Sequence, residues 1–166
     1  NNIDEFAQKF SLSKFNTAPV RFEKEVLETI SRKLLSNLDF SQISELLDTI
    51  GVQKEIKEDF WLMAKDNIDT KEELADFWHL CKDGVCSPVV TSGDEEFIGV
   101  AMSLIGEYPR ENDSWQKLTE ELKKITGRSG KDLFMPLRIF LTGKSDGPDM
   151  RKLFPLMQKI QKPGSS

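Results

Sequence analysis

The sequence predicts an all-α protein of two packed helical lobes, on three observations. Apolar residues recur three and four positions apart along most of the chain. Capping residues open several of these runs and glycines close them. The one interval without helical spacing, 82–93, holds Gly84, Pro88 and Gly93, with Val89 and Val90 as a brief extended piece at most. That interval is expected to be a connecting loop between a first lobe, 1–81, and a second, 94–162.

In order, Ile3, Phe6 and Phe10 mark a short opening helix. Leu12, Phe15, Pro19 and Phe22 continue as an irregular apolar strap, because the residue before a proline is pushed out of the α region. Val26, Leu27, Ile30, Leu34 and Leu35 give a helical face running to about Asn37. Ser41 can cap the next helix, which carries Ile43, Leu46, Leu47 and Ile50 and is closed by Gly51. Ile56, Phe60, Trp61 and Met63 indicate a helix over 54–65, and 66–69 break the period. Thr70 with Glu73 is a capping-box pattern opening a helix with Leu74, Phe77, Trp78 and Leu80 on its apolar face.

In the second lobe Phe97, Val100, Ala101, Leu104 and Ile105 predict a helix ending near Gly106. After a loop at 109–113, Asp113 or Ser114 caps the helix bearing Trp115, Leu118, Leu122 and Ile125, and Gly127 stops it. Ser129 is the expected N-cap of the next, with Leu133, Phe134, Leu137, Phe140 and Leu141 on its face. Pro136 either kinks that helix or marks a later start, since proline lacks an N–H and crowds the carbonyl four residues back. Thr142 and Gly143 end it. Pro148 suits the first turn of a last helix carrying Met150, Leu153, Phe154, Leu156, Met157 and Ile160. Residues 163–166 read as a disordered tail.

With 166 residues the chain is long enough to bury a core, and no stretch approaches a membrane span. No signal-like segment opens the chain, and a start on Asn1 suggests a piece of a longer protein. Two cysteines, Cys81 and Cys86, with a single histidine, His79, do not make a zinc site, and no metal is expected. We read the cysteines as structural or incidental thiols, the histidine as satisfied or exposed, and Trp61 and Trp78 as core. No nucleophile–base pair and no glycine-rich phosphate loop is visible, so no catalytic residue is assigned. The net charge of −5 conceals an asymmetry. From Lys123 onward there are ten basic and three acidic residues, +7, so the remainder carries −12. A basic end on an acidic body fits a protein that touches phosphate with one region only.

Residues 127–150, Gly-Arg-Ser-Gly-Lys-Asp-Leu-Phe-Met-Pro-Leu-Arg-Ile-Phe-Leu-Thr-Gly followed by Gly-Pro, resemble the C-terminal anticodon-binding region of bacterial glutamyl-tRNA synthetases, class I aminoacyl-tRNA synthetases. Glycine, proline and arginine hold fixed offsets there, which amphipathic helices in general have no reason to share. Residues 10–22 are similar to the segment that follows the catalytic half in that family, and 31–40 resemble the helix after it. The resemblance is weaker over 81–111. Ser11-Leu-Ser-Lys-Phe15 superficially resembles the family's Lys-Met-Ser-Lys-Ser loop but lacks its first lysine and last serine, and reads as linker packing.

The resemblance implies the anticodon-binding helical bundle of that class. It implies tRNA as partner, no DNA or membrane, a cytoplasmic monomer, and no cofactor in this piece, with ATP and magnesium serving glutamate–tRNA ligation in the absent N-terminal half. Arg138 matches an arginine that contacts the anticodon, and Gly147, Pro148 and Met150 match loop and first-turn contacts, with glycine where some relatives carry threonine and methionine where they carry leucine. Lys65 or Asn67 falls by position near the contact to the first anticodon base. Arg128, Lys131, Lys144, Arg151 and Lys152 are phosphate-contact candidates. The competing expectation is an acidic, all-helical protein-interaction module without RNA binding, which predicts a large exposed apolar patch.

Overall fold

The computed structural model describes residues 37–108 and 111–162. The expected opening helix, the strap around Pro19, the helical face 26–35 and the tail 163–166 lie outside the described residues. Among those described there are seven α-helices, two short 3₁₀ turns and no strand, so the fold is all-α.

Helix α1 (Phe40–Thr49) is capped by Asp39, not by Ser41. Asp39 has the partner that a capping box needs, because the Gln42 side chain accepts from its N–H at 2.9 Å, and Ser41 falls inside the helix. Gly51 at φ 82° closes the turn. A 3₁₀ turn (Lys54–Ile56) leads into α2 (Lys57–Ala64), which buries Phe60, Trp61, Met63 and Ala64. Lys57, only 6% exposed, pairs with Asp48 and ties α2 to α1. Helix α3 (Lys71–Asp83) opens on the predicted box: the Thr70 hydroxyl accepts from the Glu73 N–H at 3.3 Å. Trp78 meets Phe60 edge-on at 5.5 Å, so both large aromatics are spent on the core.

The segment between Gly84 and Asp94 is without regular structure, and Val89 and Val90 form no ladder. Helix α4 (Glu95–Ile105) ends at Gly106. Helix α5 (Ser114–Thr126) has Asp113 at its N-cap position, while the Ser114 hydroxyl accepts from the Glu111 N–H at 2.6 Å. Gly127, left-handed at φ 70°, stops it, and Ile125 turns outward at 53% exposed instead of joining the core.

Helix α6 (Lys131–Thr142) starts behind Gly130, not at Ser129, and passes through Pro136 without a delayed start. The missing proline N–H frees the Asp132 carbonyl, four residues back, and Arg128 Nη1 stands 3.4 Å from that oxygen. The last helix departs most from expectation. Helix α7 is only Met150–Leu153, capped by Asp149 with Pro148 ahead of the cap, and it tightens into a 3₁₀ turn (Phe154–Leu156). Pro155 has no N–H to offer the carbonyl of Arg151, which ends the α-helical ladder there instead of near Ile160.

Helix α2 packs on α1 and α7; α5 packs on α4, α6, α7 and the last 3₁₀ turn; α4 also meets α6. The short α7 therefore touches helices from both sides of the connecting segment, and the buried residues from Ile43 to Met157 form one core. The chain after it straps the end of α3: the Gln158 N–H donates to the Cys81 carbonyl at 2.6 Å, and Gln161 Nε2 to the Asp83 carbonyl at 3.0 Å. Among the described residues no helix is long and apolar enough to cross a membrane.

Candidate nucleic-acid interface

The corner between α6 and α7 is built from local backbone requirements. Gly143, left-handed at φ 72°, ends α6. The Thr142 hydroxyl lies 2.8 Å from the Arg138 carbonyl and accepts from the Lys144 N–H at 3.2 Å, so the loop turns straight off the helix. Gly147, at φ 123°, takes a conformation that a side chain disfavours, which makes a threonine-like hydroxyl at this position hard to accommodate. Pro148 is buried, and its carbonyl accepts from Arg138 Nη1 at 3.1 Å. That bond uses one donor of the guanidinium fork and leaves the others. Asp149 then caps α7 by accepting from the Arg151 N–H at 2.9 Å.

Beside this corner lies an open cleft of about 530 Å³. Helix α5 supplies Trp115, Gln116 and Thr119, α6 supplies Phe134 and Arg138, and the start of α7 supplies Asp149, Met150 and Arg151. Trp115 is buried, with its ring 6.4 Å from Phe134 and 5.5 Å from Phe154, while Phe134 is 46% exposed. An open aromatic face next to a guanidinium is what an unstacked base needs: a π surface to lie on and donors for its edge.

A second cleft, about 340 Å³, opens between α2 and α7, where Asp59, Leu62 and Met63 face Asn112, Arg151, Lys152 and Pro155. Arg151 lines both clefts. Its guanidinium forks onto Asp149, with Nε 3.1 and 3.0 Å from the two carboxylate oxygens and Nη2 at 2.7 Å. That bond holds the Asp149 carboxyl below the usual carboxylate range and raises Arg151 above its own.

The structure brings Arg138, Gly147, Pro148 and Met150 together at one corner. Lys65 and Asn67 are elsewhere, at the C-terminal end of α2, where Asn67 Nδ2 donates at 2.9 Å to the carbonyl of Met63, a residue of the second cleft. Lys131, Lys144, Arg151 and Lys152 are exposed. Arg128 is occupied differently: it pairs with Asp94, donates to the Gly93 carbonyl at 3.2 Å and stacks over Phe97 at 4.5 Å. Those contacts pin the α5–α6 turn to the start of α4. Among the described residues no group of His, Cys, Asp or Glu could hold a metal ion.

No protein-family model matches the chain. Curated proteins do. A glutamate–tRNA ligase 2 of Ruegeria sp. (strain TM1040) is 41% identical over 163 residues, 98% of this chain and 37% of that protein. The chain is homologous to part of the glutamate–tRNA ligases. A glutamate–tRNA ligase 2 of Cereibacter sphaeroides (strain ATCC 17029 / ATH 2.4.9) is 39% identical over 97% of the chain and 36% of its own length, and a glutamate–tRNA ligase 1 of Ruegeria pomeroyi is 37% identical over 99% and 37%. The chain thus spans little more than a third of these ligases.

Periodicity missed Phe134, Trp115 and Asp149 as parts of the cleft. By spacing, Phe134 and Trp115 belong to apolar faces. The available signal was the four-residue step from Phe134 to Arg138, which puts both on one edge of α6.

Proposed function

We propose that the chain is the anticodon-binding region of a glutamate–tRNA ligase and that the cleft beside Arg138 receives unstacked bases of the tRNA anticodon loop. What supports the reading is one juxtaposition: Arg138, Gly147, Pro148 and Met150 meet beside an open cleft with an exposed aromatic wall, in a chain homologous to such ligases. Arg138 donates to a base edge, Phe134 stacks, and Lys131, Lys144 and Lys152 hold phosphates without reading sequence. Lys65 and Asn67, at the C-terminal end of α2, approach a neighbouring base, so that this end of α2 and the α6–α7 corner grip the loop from two sides. In this reading the protein is cytoplasmic. ATP, magnesium and the joining of glutamate to tRNA belong to the part of the ligases that this chain does not align with.

The test is titration of labelled anticodon stem-loops at fixed salt. Replacing the anticodon bases weakens binding, and Arg138→Ala costs about 1–3 kcal/mol with relaxed base preference. Affinity indifferent to both changes refutes the reading, and absence of RNA affinity at physiological salt favours an acidic protein-interaction module instead.

A further inference from the structure

We infer that the Asp146–Gly147 step is a site of covalent self-modification, where Asp146 converts to isoaspartate through a succinimide, and that the change loosens the α6–α7 corner. The chemistry stands apart from the proposed function, and only its effect on RNA rests on that reading.

The sequence holds two Asp–Gly steps, Asp83–Gly84 and Asp146–Gly147. Both have the intrinsic requirement: a carboxyl within ring-closing reach of the next peptide nitrogen, and a glycine that puts no side chain in the way. The fold treats them oppositely. At the end of α3 the Gly84 N–H donates to the Leu80 carbonyl at 3.1 Å, the Asp83 carbonyl accepts from Gln161 Nε2 at 3.0 Å, and Gly84 is buried. The Asp83 carboxylate also lies 3.3 Å from His79 Nδ1. Ring closure at Asp83 therefore needs local opening first. In the loop after α6, Asp146 and Gly147 are both exposed. Among the described residues neither the Asp146 carbonyl nor the Gly147 N–H has a hydrogen-bond partner.

The Gly147 nitrogen attacks the carboxyl carbon of Asp146; a C–N bond forms, and the N–H proton and the carboxyl hydroxyl leave as water. A second water opens the ring. Opening at the side-chain carbonyl restores aspartate. Opening at the main-chain carbonyl leaves an isomer of the same composition, with the backbone running through Cβ and the α-carboxylate as the side group. That extra main-chain carbon enters directly before Gly147 and Pro148. Pro148 is buried, its carbonyl accepts from Arg138 Nη1 at 3.1 Å, and a Cβ on Gly147 would stand only 3.8 Å from the same nitrogen. Lengthening the chain here moves the Pro148 carbonyl off Arg138, and the guanidinium loses the bond that positions it.

The test compares the wild-type chain with Asp146→Glu, which keeps the charge but must close a larger, slower ring. Both are incubated in warm neutral buffer, folded and in urea. Peptides around Asp83 and Asp146 are then separated and fragmented by electron transfer, which distinguishes the isomers. In the folded wild-type chain isoaspartate at 146 is expected to accumulate at least about tenfold faster than at 83, and in urea the two rates converge. Aged wild-type chain shows a lowered urea midpoint and a weaker affinity for anticodon hairpins, each in proportion to the isoaspartate at 146, while equally aged Asp146→Glu keeps both. Equal rates at the two steps in the folded chain, or product at both steps in urea but none at 146 when folded, overturn the site. Isoaspartate at 146 with an unchanged midpoint overturns its effect on the corner. A fresh chain that binds no hairpin refutes the RNA reading alone, because the peptides and the midpoint still decide the modification.

Discussion

Gly84 shows how little freedom some single positions have. It is buried at φ 74°, and a Cβ there would come within 2.9 Å of the Lys159 carbonyl, a backbone atom held by the strap across α3. Gly84→Ala is expected to cost about 1–3 kcal/mol of stability through strain and displacement of that strap, read as a lowered urea midpoint. The two cysteines divide as sharply. Burial pushes the Cys81 thiol up to about 12, whereas Cys86 is exposed. A maleimide should label Cys86 in the folded chain and Cys81 only once the chain unfolds, because the thiolate is the reacting species. Asp149 gives a pH signature. Its folded pKa lies below the ordinary value of 3.8, so the unfolded chain takes up the proton first as pH falls. Its contribution is complete above the ordinary value and disappears as pH drops through the folded one. Asp149→Asn should flatten the acid limb of a stability-against-pH curve, by a small amount because solvent screens the pair.

Single elements succeed or fail according to whether their punctuation is local. The start of α3 was legible because Thr70 and Glu73 satisfy each other within one turn. The end of α7 is not legible from apolar spacing, which runs on to Ile160, because Pro155 removes a donor from the ladder. Helix α6 is a subtler case. Proline in its interior leaves the Asp132 carbonyl without its usual partner, and the side chain that approaches comes from Arg128, one turn before the helix begins. Arg128 and Pro136 should therefore be energetically coupled. In a double-mutant cycle by urea denaturation, Arg128→Met is expected to cost about 0.5 kcal/mol less on a Pro136→Ala background, where the restored N–H satisfies the carbonyl. Equal costs on both backgrounds would mean that the guanidinium serves only Asp94, Gly93 and Phe97.

Across the whole molecule, helical spacing tells which face of an element is apolar but not which element covers it. The wedge of α7 between α2 and α5, the Gln158 bond to Cys81 and the cleft they leave beside Arg138 are long-range pairings with no mark in local sequence. The charge asymmetry was legible, and the structure refines its use, because not every cation of the basic end is equally available. Arg128 is committed to Asp94 and Arg151 to Asp149, while Lys131, Lys144 and Lys152 are exposed. If the basic end holds RNA phosphates, each contact releases a counterion, and the logarithm of affinity falls with the logarithm of salt by roughly 0.7 per phosphate on a single strand. Lys144→Ala and Lys152→Ala are then expected to weaken hairpin binding alike for every loop sequence, each lowering the salt slope by roughly 0.7. Arg128→Met should leave that slope unchanged while lowering the urea midpoint, since its charge is spent within the fold. A salt slope that falls with Arg128→Met but not with the lysine variants would move the phosphate path away from the α6–α7 corner and onto the α4–α5 side of the molecule.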